Sequence, residues 1–360
     1  MSLDRKRRPV RSLDRRPGPY PYYGASGVVD YVDDYIFEGL HLLVAEDGEN
    51  LRSRKTPVAF LANGKFWVNN HAHVLVANDE NDTRFLSYLV ESLDVSGYLT
   101  GSTQPKLTQA ALGSIPLFAP GLDVQRSIAQ TLGALDEKVE SNEVARRRCF
   151  ELAQTFFRRS AEGASSDLLK NSATVVLGGT PNKQRADYWE DGVIPWINSG
   201  SANQDIVLEP NELITEEALR GSAAKLMPAG ATVVAITGAT LGQVALLGIS
   251  TAGNQSLVGV WADSEALTFW LHFALHDSMD QLVRSATGAA QQHVNKGNIE
   301  QLEVPIPSAR TLADWAEVAL PLVRKGIQLS QESLELKRLR DSLLPELLSG
   351  RLLVKPEVSA

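Results

Sequence analysis

Three turn-rich groups in the second half of this 360-residue chain concentrate side chains suited to hydrogen-bonded readout. Thr180-Pro181-Asn182-Lys183, Tyr188-Trp189 and Trp196-Ile197-Asn198-Ser199-Gly200 form the first. Thr237-Gly238-Ala239-Thr240 with Asn254-Gln255 forms the second, and Gln291-Gln292-His293 the third. Asn and Gln can bond an adenine edge through two hydrogen bonds, Lys and Arg a guanine edge, and Ser or Thr a phosphate. Gly, Thr and Asn are also what turns require, so each group alone is a weak signal. The same residue types recur in the first half at Tyr22, Tyr23, Ser26, Asn70, His71 and Lys106, and that recurrence favours recognition.

No arrangement of residues for covalent or acid–base catalysis emerges. Gly238-Ala239-Thr240-Leu241-Gly242 lacks the lysine of a phosphate-binding loop, and there is no G-x-S-x-G turn. His71 and His73 stand two apart on an expected strand, where both would point to one face as metal ligands do. No third ligand accompanies them, so core or hydrogen-bonding histidines are the preferred reading and no metal is expected. Glu335 and Lys337 could be forced into a nuclease-like pair but fall on a helix with heptad spacing. An Asn-Pro-Pro-aromatic motif, of the kind amino-methyltransferases use to hold a flipped base, is also missing.

Composition bounds the rest. The apolar share is 43%, enough for two ordinary cores, and no run of 18 uninterrupted apolar residues is present to span a membrane. The N-terminus is basic but has no apolar segment behind it, unlike a secretory signal. A single Cys149 excludes an internal disulfide framework and suits a reducing cytoplasm. Net charge is −8, of which residues 1–165 carry −1 and the remainder −7. Arg5-Lys6-Arg7-Arg8, Arg11 and Arg15-Arg16 form a dense basic tract, either a solvated tail or a contact for phosphates.

The elements that position these groups come in two copies. Thr100-Gly101, Gln104, Leu107, Leu112, Ile115 and Pro120 match Thr287-Gly288, Gln291, Val294, Ile299, Leu302 and Pro307 at a constant offset of 187. Upstream, 44–48 aligns with 234–238, Asn70-His71 with Asn254-Gln255, and 21–27 with 195–200, so the offset drifts while the landmarks keep their order. A period this long is a duplicated domain, not a solenoid. Each copy reads as an α+β unit. Strands are expected at 40–45, 66–77, 232–236 and 256–261, and helices at 85–93 and 267–286. The first unit has only the basic tract before its Tyr-rich opening, whereas 167–177 precedes the second, so the first strand or helix of the first unit is expected to be missing.

A long helix follows each unit. Ile128, Leu135, Asn142, Cys149 and Phe156 are seven apart, with Leu132, Val139 and Ala153 between them. Leu322, Leu329, Leu336 and Leu343 repeat the spacing, with Leu339 between. Both are coiled-coil seams, with Asn142 as a register-setting polar residue and Pro321 expected to kink or delay the second helix. The expected spans, 124–160 and 311–349, run about 55 and 58 Å. Equal lengths leaving equivalent points favour an antiparallel pair with pseudo-two-fold symmetry, a spacer between two surfaces.

At this point the residues resemble a known family. Leu177-Gly178-Gly179-Thr180-Pro181, Tyr188-Trp189 and Ile194-Pro195-Trp196-Ile197-Asn198-Ser199-Gly200 resemble the opening of a target-recognition domain in the specificity subunits of type I restriction-modification systems. Gly18-Pro19-Tyr20-Pro21-Tyr22-Tyr23-Gly24-Ala25-Ser26-Gly27 with Leu43-Val44-Ala45-Glu46-Asp47-Gly48 resembles another variant of that opening. Leu339-Arg340-Asp341-Ser342-Leu343-Leu344-Pro345-Glu346-Leu347-Leu348-Ser349-Gly350 resembles the closing helix of the family.

The resemblance implies target-recognition domains at 1–121 and 164–308, spacer helices at 122–163 and 309–352, and a tail at 353–360. It implies a cytoplasmic, non-catalytic reader of a bipartite duplex DNA target, one half-site per domain, that directs adenine methylation or restriction by others. Two modification subunits would bring S-adenosylmethionine and restriction subunits would use ATP, so no cofactor is expected in this chain. A scaffold held together by its coiled coil, without DNA reading, is the alternative; a nuclease ranks behind both.

Overall fold

The computed structural model describes residues 1–101, 103–288 and 294–354. The chain divides into two compact units, Met1–Lys138 with Leu336–Ala360, and Val139–Glu335.

In the first unit a three-stranded antiparallel sheet orders Ala59–Ala62, His41–Ala45 and Ala72–Leu75. Its middle strand is buried along its whole length, which suits the apolar run Leu42-Leu43-Val44-Ala45. Helix Thr83–Ser92 closes one face through Val90, which joins Leu42, Val44 and Leu107 in one core. Asp82 starts that helix by accepting the Phe85 N–H at 2.9 Å. A second sheet, in the order Gly27–Val32, Pro17–Gly24, Lys65–Val68 and Phe37–Glu38, meets the first through Phe37, Phe66, Leu43 and Val74. The single strand expected at 66–77 is therefore two, and the turn at 69–71 carries the chain from one sheet to the other.

The second unit repeats the plan with more strands. A five-stranded sheet orders Ile206–Val207, Val244–Leu247, Thr232–Ala235, Leu257–Trp261 and Thr174–Leu177. The partner sheet orders Glu212–Ile214, Ile194–Ile197, Thr251–Gly253 and Leu226–Met227. Helix Glu265–Gly288 presents Phe269, Trp270 and Phe273 to the core, far more aromatic bulk than its ten-residue counterpart supplies.

Backbone pairing corrects one alignment. Asn69 donates its N–H to Tyr23 O, and Asn254 donates its N–H to Ile197 O, each at 3.0 Å. Glu46 N–H reaches His71 O at 2.8 Å, and Ile236 N–H reaches Ser256 O at 2.9 Å. The counterpart of Asn254 is thus Asn69, not Asn70, and Gln255 corresponds to Asn70. Two adjacent asparagines made the sequence register ambiguous by one residue; in a sheet one residue reverses the facing of every side chain.

The basic tract is not a solvated tail. Leu3 N–H bonds Val74 O at 2.7 Å, the Met1 ammonium bonds Val76 O at 2.7 Å, and Ser2 bridges Leu75. Residues 1–3 thus occupy the sheet edge that Thr174–Leu177 occupies in the second unit, so that edge, expected to be bare, is covered.

The long helices are Leu122–Ala161 and Ala309–Leu348, 40 residues each and related at both ends by the 187-residue offset. Each measures about 60 Å. Within the first unit, Ile128, Ala129 and Leu132 of the first helix pack with Leu343, Leu344 and Leu347 of the second. Within the second unit, Ala153 and Phe157 pack with Trp315, Ala319 and Val323. Each unit holds the start of one helix and the end of the other, so the pairing is antiparallel. Asn142 and Leu329 are buried on the seam, and Leu135, Leu322, Leu336 and Leu343 are partly so.

Two seam expectations fail, and the delay expected of Pro321 is absent. Phe156 is exposed and Phe157 buried at 2%. A seven-residue count drifts about 20° per heptad on a straight helix, and by this point the drift has moved the seam over by one residue. Leu339 is exposed, and Arg340 instead reaches Asp136 at 2.7 Å. Pro321 does not delay the second helix, which begins twelve residues before it and continues through it with the ring exposed.

Candidate nucleic-acid interface

In each unit the turn between the two sheets carries two of the candidate residues, Asn70 and His71 in the first and Asn254 and Gln255 in the second, and an asparagine folds it. Asn69 Oδ1 accepts the His71 N–H at 2.8 Å, and Asn254 Oδ1 accepts the Ser256 N–H at 3.1 Å. Each such side chain imitates a backbone turn, so Asn254 is spent on structure. Asn70 and Gln255, the residues at the tips, are exposed.

In the first unit His71 remains half exposed, and its Nδ1 meets the Asp47 carboxylate at 2.8 Å. His73 is 1% exposed and lies in the interior, so the two histidines do not share a face as paired ligands would. His73 Nδ1 bonds Asp4 at 2.6 Å, and its Nε2 bonds the Leu107 carbonyl at 2.8 Å. Both ring nitrogens thus lie against oxygen atoms, and neither is free to bind a metal.

Asp4, Glu46 and His73 bring one ligand atom each within 4.8 Å, a group the sequence did not assemble. Arg7 and Lys106 both hold Glu46, the latter at 3.0 Å. The cluster is therefore built as an ion-pair network. Burial raises the Asp4 carboxyl, but hydrogen bonds from His73 and Val74 and the charges of His73 and Arg7 outweigh it and hold Asp4 below the usual range. Burial also raises Glu46, and the bonds from Arg7 and Lys106 likewise win.

Several expected readers belong to the scaffold instead. Tyr22 is 1% exposed and its hydroxyl accepts the Val10 N–H at 2.9 Å. Tyr23 is partly buried, with its ring edge-on to Phe66. Tyr188 and Trp196, each 4% exposed, form a core with Ile214, Ala218 and Ala252, while their polar tips bond Gly221 O and Gly179 O. Tyrosine and tryptophan fit an interior once the polar atom has a partner, and residue type alone does not separate that role from stacking on a base.

Other candidates stand at the surface of the second unit. Thr180 Oγ1 donates to Gln255 Oε1 at 2.5 Å, linking the Gly-Gly-Thr-Pro loop to the Asn254 turn. Lys183 Nζ sits 3.3 Å from the Trp189 ring centroid and 2.6 Å from Glu212, so its charge is already matched. Asn198 Oδ1 accepts the Gly200 N–H at 2.8 Å and starts the short helix carrying Ser199, while Thr240 donates to Thr237 O at 3.4 Å. Ser26 is exposed at the tip of the hairpin between Pro17–Gly24 and Gly27–Val32. Gln291, Gln292 and His293 lie outside the described residues.

The model of the type I restriction modification DNA specificity domain matches residues 1–147 and again 169–311. The chain belongs to this family. It is 40% identical over 133 residues to a putative type I restriction enzyme specificity subunit of Haemophilus influenzae, a match spanning 37% of this chain and about a third (34%) of that protein. It is 24% identical over 347 residues to the MjaIX specificity subunit of Methanocaldococcus jannaschii, covering 87% of this chain and 80% of that one. The crystal structure of a type I restriction-modification S subunit from M. genitalium shares the fold with a TM-score of 0.64 at 14% identity, over 96% of this chain and 95% of that chain. Membership in the family bears out the two similar domains read from the repeat. No described helix is long and apolar enough to cross a membrane.

Proposed function

We propose that this chain is the DNA sequence-specificity subunit of a type I restriction-modification complex in the cytoplasm, and that it is not itself catalytic. The regions 1–121 and 164–308 each read one half-site of a bipartite duplex target, and the helices at 122–163 and 309–352 set the gap. Two modification subunits bound to it methylate adenine with S-adenosylmethionine, and restriction subunits act with ATP. The supporting observation is the family match to both copies of a repeat whose framework is shared while the side chains at its loop tips differ. Asn70 and His71 in one copy, and Gln255 in the other, are exposed polar groups at equivalent turns, and exposed Thr180 bonds Gln255 from the neighbouring loop.

Sequencing of methylated motifs in a host carrying the intact system tests this. A split motif with two unlike halves and a fixed gap is expected; methylation without sequence preference overturns it. Adding one helical turn to both long helices, near Asn142 and Ser333, should lengthen the gap and keep the half-sites.

A further inference from the structure

The loops entering the second sheet of each unit start from matched positions. Arg8 N–H bonds Val68 O at 3.4 Å, and Gly179 N–H bonds Gly253 O at 2.7 Å, where Val68 and Gly253 are equivalent in their parallel pairings with Pro17–Gly24 and Ile194–Ile197. From that shared anchor the side chains diverge. In the second unit, 178–193 carries two cations, and both are matched by acids: Lys183 by Glu212 and Arg185 by Asp187. In the first unit, Arg5, Lys6, Arg8 and Arg11 are exposed and make no ion pair among the described residues. Arg16 is set apart from them, in a cavity shared with Asp14, Asp33 and Asp34.

These four cations are not on a loose arm. Arg7, between them, bonds the Asp4, Asn70 and Ala72 carbonyls and the Glu46 carboxylate; Trp67 Nε1 bonds Arg8 O; Val10 N–H bonds the Tyr22 hydroxyl. Because Arg7 grips the turn at 70–72, Lys6 and Arg8 flank the turn that displays Asn70 and His71. Immobilising like charges side by side is unfavourable unless an anion neutralises them, and regularly charged duplex DNA does so with release of its counterions. Backbone contacts of this kind fix register beside the groups that read bases.

We infer that Arg5, Lys6, Arg8 and Arg11 form a DNA-backbone contact of the first unit that the matching loop of the second unit lacks. This rests on the proposed DNA-reading function. The test uses the complex of the full chain with its modification subunits, and a duplex carrying the methylated motif. Changing the four residues together to Gln should reduce the slope of log affinity against log salt by about 3.6, at about 0.9 per phosphate contact, and weaken binding about tenfold or more at moderate salt. The methylated motif should stay the same. Arg5→Lys, Arg8→Lys and Arg11→Lys together keep the charge and should keep the wild-type slope; loss of slope there marks a folding defect and overturns the assignment. An unchanged slope in the Gln variant, with the motif intact, overturns this inference alone, whereas a wild-type complex without any motif overturns the functional reading. A Gln variant that no longer assembles with the modification subunits, at unchanged DNA salt dependence, assigns the patch to an acidic protein surface and also overturns it.

Discussion

Arg8 and Gly179 occupy the same place in two copies of one fold, and they show what the duplication preserved. The backbone hydrogen bond is retained and the side chain is not. At Gly179 an added Cβ would fall 2.5–2.7 Å from Ala223, so the second unit packs another strand connection against that point. The first unit leaves the position open and places a guanidinium there. Similarly, the Asn69 and Asn254 turns fold alike but display Asn70 and His71 in one case and Gln255 and Ser256 in the other. Hydrogen bonds that join the sheets are common property; side chains at the loop tips are not.

The sharpest way to break the comparison is at the anchor unique to the first unit. Asp4 holds His73, the Val74 N–H and Arg7 in a largely buried network, whereas in the second unit apolar Leu177 fills the matching register. Removing one partner of a buried, hydrogen-bonded pair typically costs about 3–5 kcal/mol because the other is left uncompensated. Asp4→Ala should therefore destabilise the first unit by about that much and release the basic tract. Chemical denaturation would register the loss, and amide exchange at residues 1–10 would report the release. A change below about 1 kcal/mol would mean the network contributes little.

The reciprocal swap comes next. Gly179→Arg asks the second unit to accept the residue of the first, and the clash with Ala223 backbone should cost about 3 kcal/mol, at the upper end of overpacking penalties. Arg8→Gly, the reverse swap, has no such clash to relieve and should cost less than about 1 kcal/mol. Equal costs would show that the two positions are not equivalent.

Much of this organisation was legible in the residues because it depends on spacing. Both long helices follow from their heptads, and the 187-residue offset holds from Thr108 and Asn295, which start matched short helices, to Gly163 and Gly350, which follow the long ones with φ of 78° and 72°. The site was less legible. Tyr22, Tyr188 and Trp196 carry the right chemistry for DNA but are buried, and burial is a property of the packed sheets that no local pattern reports. The basic tract reads as a tail because its anchors, Val68, Tyr22, Glu46 and Ala72, are distant in sequence. Phe156 and Phe157 show the limit of periodicity itself, since a drift of one residue exchanges inside for outside.

The smallest expected difference concerns acid. Seven residues into helix Glu265–Gly288, His272 sits beside Thr232 at 3.1 Å; seven residues into Thr83–Ser92 the first unit has Val90, packed in the core with Leu42. Burial, with a small contribution from His276, lowers His272 to about 3, so it is neutral in the folded unit at any ordinary pH. The unfolded chain takes up that proton below about 6.5, and stability then falls by about 1.4 kcal/mol per pH unit until the folded value is reached. The depressed Asp4 and Glu46 act in the same direction but later: their contribution is complete above the unfolded carboxylate range and is lost only as pH falls below it. The second unit should thus begin to weaken roughly two pH units before the first, losing about 2 kcal/mol by pH 5. His272→Gln should remove that early loss and leave the later carboxylate-driven one. If the two units instead lose stability together between pH 6.5 and 5, the buried imidazole is not what sets their difference.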